Sequence, residues 1–266
     1  MANFDKHTAL VTGASSGIGA AMAQVLASWG SNVIITARRL DRLERLATEL
    51  RERYKVEVHC IKKDLSLPEA VNELYDEASK IGPIDVLINN AGFGVFDYFA
   101  DTDWQRNSRM LQLNVTALAE LTHRFLGDAI GRPRKAYVLN VSSVGAYQPV
   151  PYMASYCGTK AYIRVFSESL AEELRDTNVT VSCVSPGATS SEFADVSGQR
   201  LHKLANFTVM TPEQVAESSL KAMLRGRTNT VTGITNKLST FLLRFVPRRT
   251  GALAASFLTG RPGERR

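Results

Sequence analysis

The sequence predicts an α/β fold of the Rossmann type: one doubly wound parallel sheet of about seven strands with helices on both faces. Three observations predict it. Short runs rich in Val and Ile alternate with longer amphipathic segments along most of the chain, the pattern of βαβ units. A glycine-rich turn, Thr12-Gly13-Ala14-Ser15-Ser16-Gly17-Ile18-Gly19, stands between the first strand and the first helix. At 266 residues, with 44% hydrophobic and 22% charged side chains, the chain can bury a single continuous sheet and has an ordinary globular composition.

Taken in order, the β-branched runs place strands near 8–12, 31–36, 56–61, 84–88, 136–142, 179–185 and 229–234. Helices are expected near 17–29, 41–53, 68–80, 103–127, 155–175 and 212–225. Asp41 is a candidate cap for the second helix, Pro68 suits a first helical turn, and Thr211-Pro212 reads as a cap followed by proline. Residues 1–236 thus form one body without repeat or linker. Within it, the irregular stretch 188–210 follows a strand on the ligand side and is the expected substrate lid. Its Phe193, Leu201, Leu204, Phe207, Val209 and Met210 could line an apolar pocket or pack the lid itself.

The formal net charge is +6, and residues 237–266 carry all of that excess: Lys237, Arg244, Arg248, Arg249, Arg261, Arg265 and Arg266 against Glu264. A neutral body with a basic tail argues against a general nucleic-acid surface. In the tail, Leu238, Phe241, Leu242 and Phe245 recur at helical spacing beside arginines. That stripe would either pack on the body or on a neighbouring subunit, the plainer expectation, or lie as a peripheral contact on an anionic membrane. Pro247 should end the helix, and the run from Ala252 to Leu258 is too short to span a bilayer. Cys60, Cys157 and Cys183 show no paired spacing, so neither a metal site nor a disulfide framework is expected and a reducing cytoplasm fits. No basic region followed by an apolar run precedes the first motif.

Glycines after the first strand allow a tight turn and close backbone approach, and the following helix start offers free N–H groups to a pyrophosphate. The second strand ends Thr36-Ala37-Arg38-Arg39 with no carboxylate before Asp41. An acid at this point would favour NAD by binding the ribose hydroxyls, whereas Arg38 can pair with a 2′-phosphate, so NADP(H) is the expected cofactor. The plain alternative is that Arg38 and Arg39 are solvated residues at a helix start. Further along, Tyr156 and Lys160 lie four apart on one helical face, where the ammonium would lower the phenol pKa toward a useful value.

These pieces together resemble the short-chain dehydrogenase/reductase family in its compact form. The match runs through Thr12 to Gly19, Asp64, Asn89-Asn90-Ala91-Gly92, Asn114, Asn140-Val141-Ser142-Ser143, Tyr156 with Lys160, and Pro186-Gly187, in family order. The resemblance implies that Tyr156 is the general acid/base, that Lys160 tunes it and holds the nicotinamide ribose, and that Ser143 orients the carbonyl. Asn114 would hold a relay water. Ser143 matches better than Ser142 because it lies thirteen residues before Tyr156. The resemblance further implies cofactor contacts at Gly13, Ser15, Ser16, Gly17, Ile18, Gly19, Arg38, Arg39, Asp64, Leu65, Asn89, Ala91, Gly92, Pro186, Gly187 and Thr189. Ser191 replaces the usual threonine after the Pro-Gly turn and keeps a hydroxyl for the pyrophosphate. Asn90 could serve only its turn, Asp64 could merely end a strand, and Cys157 is read as a bystander.

The expected activity is therefore carbonyl–alcohol interconversion in a homodimer or homotetramer, on an apolar or lipid-like ketone or aldehyde. Alternatives are a small hydroxy acid or amino alcohol as substrate, a non-catalytic NADP-binding regulator, and a serine hydrolase. The last lacks a G-x-S-x-G elbow.

Overall fold

The computed structural model describes residues 4–198, 209–260 and 262. Its centre is a seven-stranded parallel sheet of β1 (Thr8–Thr12), β2 (Asn32–Ala37), β3 (Val58–Lys62), β4 (Val86–Asn89), β5 (Ala136–Val141), β6 (Val179–Ser185) and β7 (Asn229–Val231). The spatial order is β3-β2-β1-β4-β5-β6-β7, so the direction of winding reverses between β1 and β4. Helices fill the crossovers: α1 (Gly17–Ser28), α2 (Leu40–Tyr54), α3 (Ala70–Ile81), α4 (Trp104–Leu111), α5 (Leu118–Ala129), α6 (Ala154–Glu173) and α8 (Pro212–Leu224). Beyond these, α9 (Ile234–Leu242) forms where the tail's apolar spacing places a helix, while α7 (Phe193–Ser197), in the stretch expected as a lid, and α10 (Arg248–Thr259) were not expected.

The period-2 geometry of a strand divides β1 between two cores. Ala9 and Val11 face the layer built from α1, α2 and α8, with Met22, Leu26, Leu43, Leu50 and Leu220. Leu10 faces the opposite layer, where Val71 and Leu74 of α3 meet Leu121 and Phe125 of α5. Burial on both faces explains why the strands read as continuous apolar runs.

Local chemistry accounts for several boundaries. Thr211 and Gln214 form a reciprocal capping box, with Pro212 at the first helical position. Asp41 does not cap α2: the helix begins one residue earlier and Asp41 sits in its first turn, paired with Arg45. Pro68 lies before α3, whose cap is Glu69. The single helix expected over 103–127 is α4 and α5 joined by a π-wound segment, 112–117, that contains Asn114. Such a local change of hydrogen-bond register leaves the apolar periodicity almost unaltered, so the sequence pattern does not disclose it.

The expected boundary at Asn236 falls inside α9, whose buried face packs at the Pro-Gly turn, so body and tail are continuous there. Pro247 does interrupt the tail, but α10 resumes at Arg248. Leu201, Leu204 and Phe207 of the expected lid, and Arg261, Glu264, Arg265 and Arg266 of the tail, lie outside the described residues.

One side chain ties the two halves of the sheet at the reversal. Thr12 Oγ1 donates to Ile88 O at 3.1 Å and accepts from the N–H groups of Asn90 and Ala91, each at 3.0 Å. Thr12→Val keeps the shape and removes all three bonds, leaving buried backbone groups unpaired. It is expected to lower the unfolding free energy by about 1–3 kcal/mol in urea denaturation. An unchanged midpoint would show that the tie carries no stability.

Candidate active site

At the carboxyl ends of the strands, by the β1/β4 reversal, lies a cleft of about 500 Å³. The chain leaves β1 through Gly13, whose φ of +68° is a left-handed conformation that favours glycine. A Cβ on Gly19 would stand 2.4 Å from Asn90 Nδ2 and 2.5 Å from Gly13 O, so the turn can close against the β4 loop only without side chains there. Ser16 occupies the cap position of α1 but makes no side-chain cap, which leaves the first turn's N–H groups facing the cleft. A narrow glycine cradle at an uncapped helix start fits a dinucleotide's pyrophosphate.

Ser15, Ser16, Gly17 and Ile18 line this end of the cleft, while Gly19 lies beneath it. Arg38, Asp64, Leu65, Ala91 and Gly92 line it farther along, and Pro186, Gly187, Thr189 and Ser191 border it from the β6 side. Asp64 accepts from the N–H and hydroxyl of Ser66, closing a turn after β3. Arg39 lies across the glycine turn, donating to Ser15 Oγ and Ser16 Oγ at 3.0 Å each, and pairs with Glu192, in the segment after β6, at 2.8 Å. Arg42 takes the other oxygen of the same carboxylate at 2.5 Å. These guanidiniums, Arg42 foremost, hold Glu192 down to about 2.

Strand β5 ends at Val141 and delivers Ser143 to the cleft, where its hydroxyl caps a short 3-10 turn by accepting from Gly145 N. The α6 start delivers Tyr156 and Lys160 one turn apart on the face toward Ser143. Both are buried, and the Lys160 Nζ stands 5.7 Å from the centre of the Tyr156 ring while donating to Val141 O at 2.8 Å. Burial pushes the Tyr156 phenol well above its ordinary range, and a hydrogen bond with Ser143 opposes that shift. Burial also lowers Lys160 to about 8. Cys157, beside them, is pushed up to about 12 by burial and is a neutral thiol.

Asn114 is buried beneath the site. Its amide donates to Phe93 O at 3.0 Å and Thr159 Oγ1 at 3.1 Å, and its carbonyl accepts from Phe93 N, so both ends of the side chain clamp the β4 loop to α6. Asn89 does not face the cleft. Its Nδ2 donates to Thr122 and Asn140 in a buried chain that continues to Ser167, and its Oδ1 is buried without a partner among the described residues, so the side chain is turned away from the cleft. Asn90 is at the cleft instead, yet its amide donates to Thr12 O and Gly13 O and serves the turn.

The apolar end of the cleft was only partly foreseen. Phe193 stands 5.3 Å from the Tyr156 ring, joined by Phe93, Val150 and Met153. The uncharged run between Ser143 and Tyr156 was the available signal for Val150 and Met153. Nothing in the pattern signalled Ala255, Leu258 and Thr259 of α10, which also line the cleft. No histidine lines it among the described residues, so Ser143 lacks a hydrolase's base there.

Residues 7–201 match the family model described as short chain dehydrogenase. The chain is 39% identical over 191 residues to nodulation protein G of Rhizobium sp. (strain N33), covering 70% of this chain and 75% of that protein. It is 32% identical over 230 residues to the very-long-chain 3-oxoacyl-CoA reductase of Homo sapiens, covering 83% of this chain and 70% of that protein. A short-chain dehydrogenase from Sphingobium yanoikuyae, solved in complex with NADPH, superposes with a TM-score of 0.77 at 27% identity over 98% of each chain.

The buried lysine makes a pH prediction. Its folded pKa of about 8 lies below its ordinary value of 10.5, so between these values the unfolded chain binds a proton that the folded chain does not. The cost of the buried ammonium is full below about 8 and is relieved as pH rises through that window. The raised Tyr156 pKa acts only above the ordinary tyrosine range near 10. Cofactor-free protein is therefore expected to gain stability relative to Lys160→Met as pH rises from about 8 toward 10. Urea midpoints that run parallel in the two proteins would refute the assignment.

Proposed function

Because the chain belongs to the short-chain dehydrogenase family, we propose that it is an NADP(H)-dependent oxidoreductase interconverting an apolar ketone or aldehyde and its alcohol. The observation that carries this reading is the convergence of the Tyr156 phenol, the Ser143 hydroxyl and the Lys160 ammonium in one cleft with a glycine cradle at an uncapped helix start.

In this reading the cofactor supplies or accepts the hydride, and the chain's own groups do the rest. The first turn of α1 and the glycine backbone hold the pyrophosphate. Arg38 and Arg39 hold the 2′-phosphate, and Lys160 holds the nicotinamide ribose. Ser143 donates to the carbonyl oxygen and steadies the charge that develops there. Tyr156 then gives that oxygen the proton from its hydroxyl, and takes it back in the oxidising direction. Burial favours the protonated phenol, the form that reduction needs. Since both ends of the Asn114 amide are engaged, a relay water would meet that residue at its backbone carbonyl, within the π-wound segment.

The placement of charge supports the apolar substrate class. Arg38, Arg39 and Lys63 lie at the cofactor end of the cleft, while Phe93, Val150, Met153, Phe193 and Leu258 line the other. A small hydroxy acid would need a cation free to meet its carboxylate at that apolar end, and the described lining offers only Lys160, which this reading assigns to the ribose. The human 3-oxoacyl-CoA reductase relative is consistent with a long apolar substrate. A non-catalytic regulator would have no need of the assembled Ser143, Tyr156 and Lys160. Exposed Tyr162 and Val165 on α6 suit a homodimer or homotetramer joined through the helices over 103–127 and 155–175.

Tyr156→Phe is expected to abolish turnover of any carbonyl tested, with NADPH binding retained to within about threefold by fluorescence titration, because only the proton donor is removed. Substantial residual turnover would overturn the catalytic assignment. Wild-type enzyme should prefer NADPH to NADH, and Arg38→Asp should reverse that order by replacing attraction to the 2′-phosphate with repulsion. Equal or better use of NADH by wild type in steady-state kinetics would rule out the NADP(H) reading.

A further inference from the structure

We propose that α9, the turn after it and α10 form a docking surface for an anionic lipid bilayer, and that the cleft takes its substrate through the inner side of that same surface. The second half rests on the apolar-carbonyl reading above.

The helix α9 is inverted. A surface helix of a globular protein turns its apolar stripe inward and its polar face to water. Here Asn236 and Thr240 are the buried residues, and Ile234, Leu238, Phe241 and Leu242 point outward, Ile234 84% exposed and Leu238 57%. The buried polar groups need no partner across the interface: Asn236 Nδ2 donates to Thr232 O and Thr240 Oγ1 to Asn236 O. Phe245, 73% exposed, extends the patch and packs edge-on against Phe241. On α10, Leu253 is 66% exposed and continues the same character. The stripe foreseen in the tail therefore does not pack on its own subunit. An apolar surface of this extent marks an interaction site.

Charge selects the occupant. Between Glu217 and Glu264 the sequence contains no acidic residue, while Lys237, Arg244, Arg248 and Arg249 fall within or beside the exposed apolar stretch. A second copy docked about a two-fold axis through this face would set that cationic patch against itself, because such an interface is self-complementary. An anionic lipid surface meets both features at once: acyl chains take Leu238, Phe245 and Leu253, and lipid phosphates take the basic side chains. Among the described residues no helix is long and apolar enough to cross a membrane, so the contact is peripheral.

The inner side of α10 belongs to the cleft. Ala255 is buried in the cluster that contains Tyr156, Met153 and Val150, and Leu258 and Thr259 line the opening. One helix thus has lipid-facing residues on one side and cleft-lining residues on the other. A carbonyl compound dissolved in the bilayer would meet the apolar end of the cleft without crossing water.

The test uses the full chain with vesicles of phosphatidylcholine alone or mixed with phosphatidylglycerol, at low and raised salt. Wild type is expected to float with the mixed vesicles, not with phosphatidylcholine alone, and to be released by salt. Both Leu238→Ser/Phe245→Ser/Leu253→Ser and Arg248→Glu/Arg249→Glu should lower partition by about tenfold or more. Both should keep wild-type turnover of a water-soluble ketone, which also shows that they fold. With a long-chain ketone held in mixed vesicles, their turnover should fall together with binding. Failure of wild type to float at low salt overturns the docking surface, as does loss of an oligomer on a sizing column when the apolar variant alone is made. Undiminished turnover of the vesicle-held ketone by non-binding variants overturns delivery through this face. Lack of turnover by wild type with every ketone would fault the catalytic reading instead, leaving the flotation result to stand by itself.

Discussion

The site depends first on how two strand ends are held together where the sheet changes its direction of winding. Thr12 finishes β1, and its hydroxyl engages Ile88 O, Asn90 N and Ala91 N at the exit of β4. Asn90 answers by donating to Thr12 O and Gly13 O. These bonds set the separation of the glycine turn and the β4 loop, and the space they leave explains why a Cβ at Gly13 or Gly19 would collide with Asn90. Parallel strands alone would open a crevice here; the side-chain tie gives it a defined width.

The ionisable groups along the cleft are then set in two different ways. Around Tyr156 and Lys160 burial disfavours charge on each, so the phenol stays protonated and the ammonium is weakened. After β6, Glu192 is open to solvent, and the grip of Arg42 and Arg39 keeps it ionised to lower pH than an ordinary glutamate. The Tyr156 end of the cleft is thus tuned by desolvation and the Arg39 end by paired charge. Arg39 contacts both the glycine turn and Glu192, so that turn and the segment after β6 are joined through one guanidinium.

The last two helices extend the cleft beyond the sheet. Their inner faces close around Gln148, the Pro-Gly turn and the Tyr156 cluster, with Gly251 close to Gln148 and Gly187 leaving room for Asn236. Their outer faces carry apolar side chains, in a stretch of sequence free of acidic residues between Glu217 and Glu264. Cleft-lining residues and exposed apolar residues are in this way placed on opposite sides of the same short elements.

Much of this was legible in the sequence, for local reasons. Strands β1 and β6 lie where the apolar runs place them, and Thr211-Pro212 caps α8 as its residue types require. Tyr156 and Lys160 could be singled out because their spacing and residue types are themselves the signal, and Ser143 through the family resemblance, whose family the match over 7–201 shows. Three things were decided by tertiary structure. The π-wound turn at Asn114 keeps the helical period while changing the bonding. Asn89 and Asn90 are adjacent, and only the strand's alternation sends one into a buried polar chain and the other to the cleft. The apolar stripe of α9 fixes a helix but not its facing, because periodicity records that one side differs from the other. Which side is buried is set by what the chain meets in space, here the Pro-Gly turn that receives Asn236.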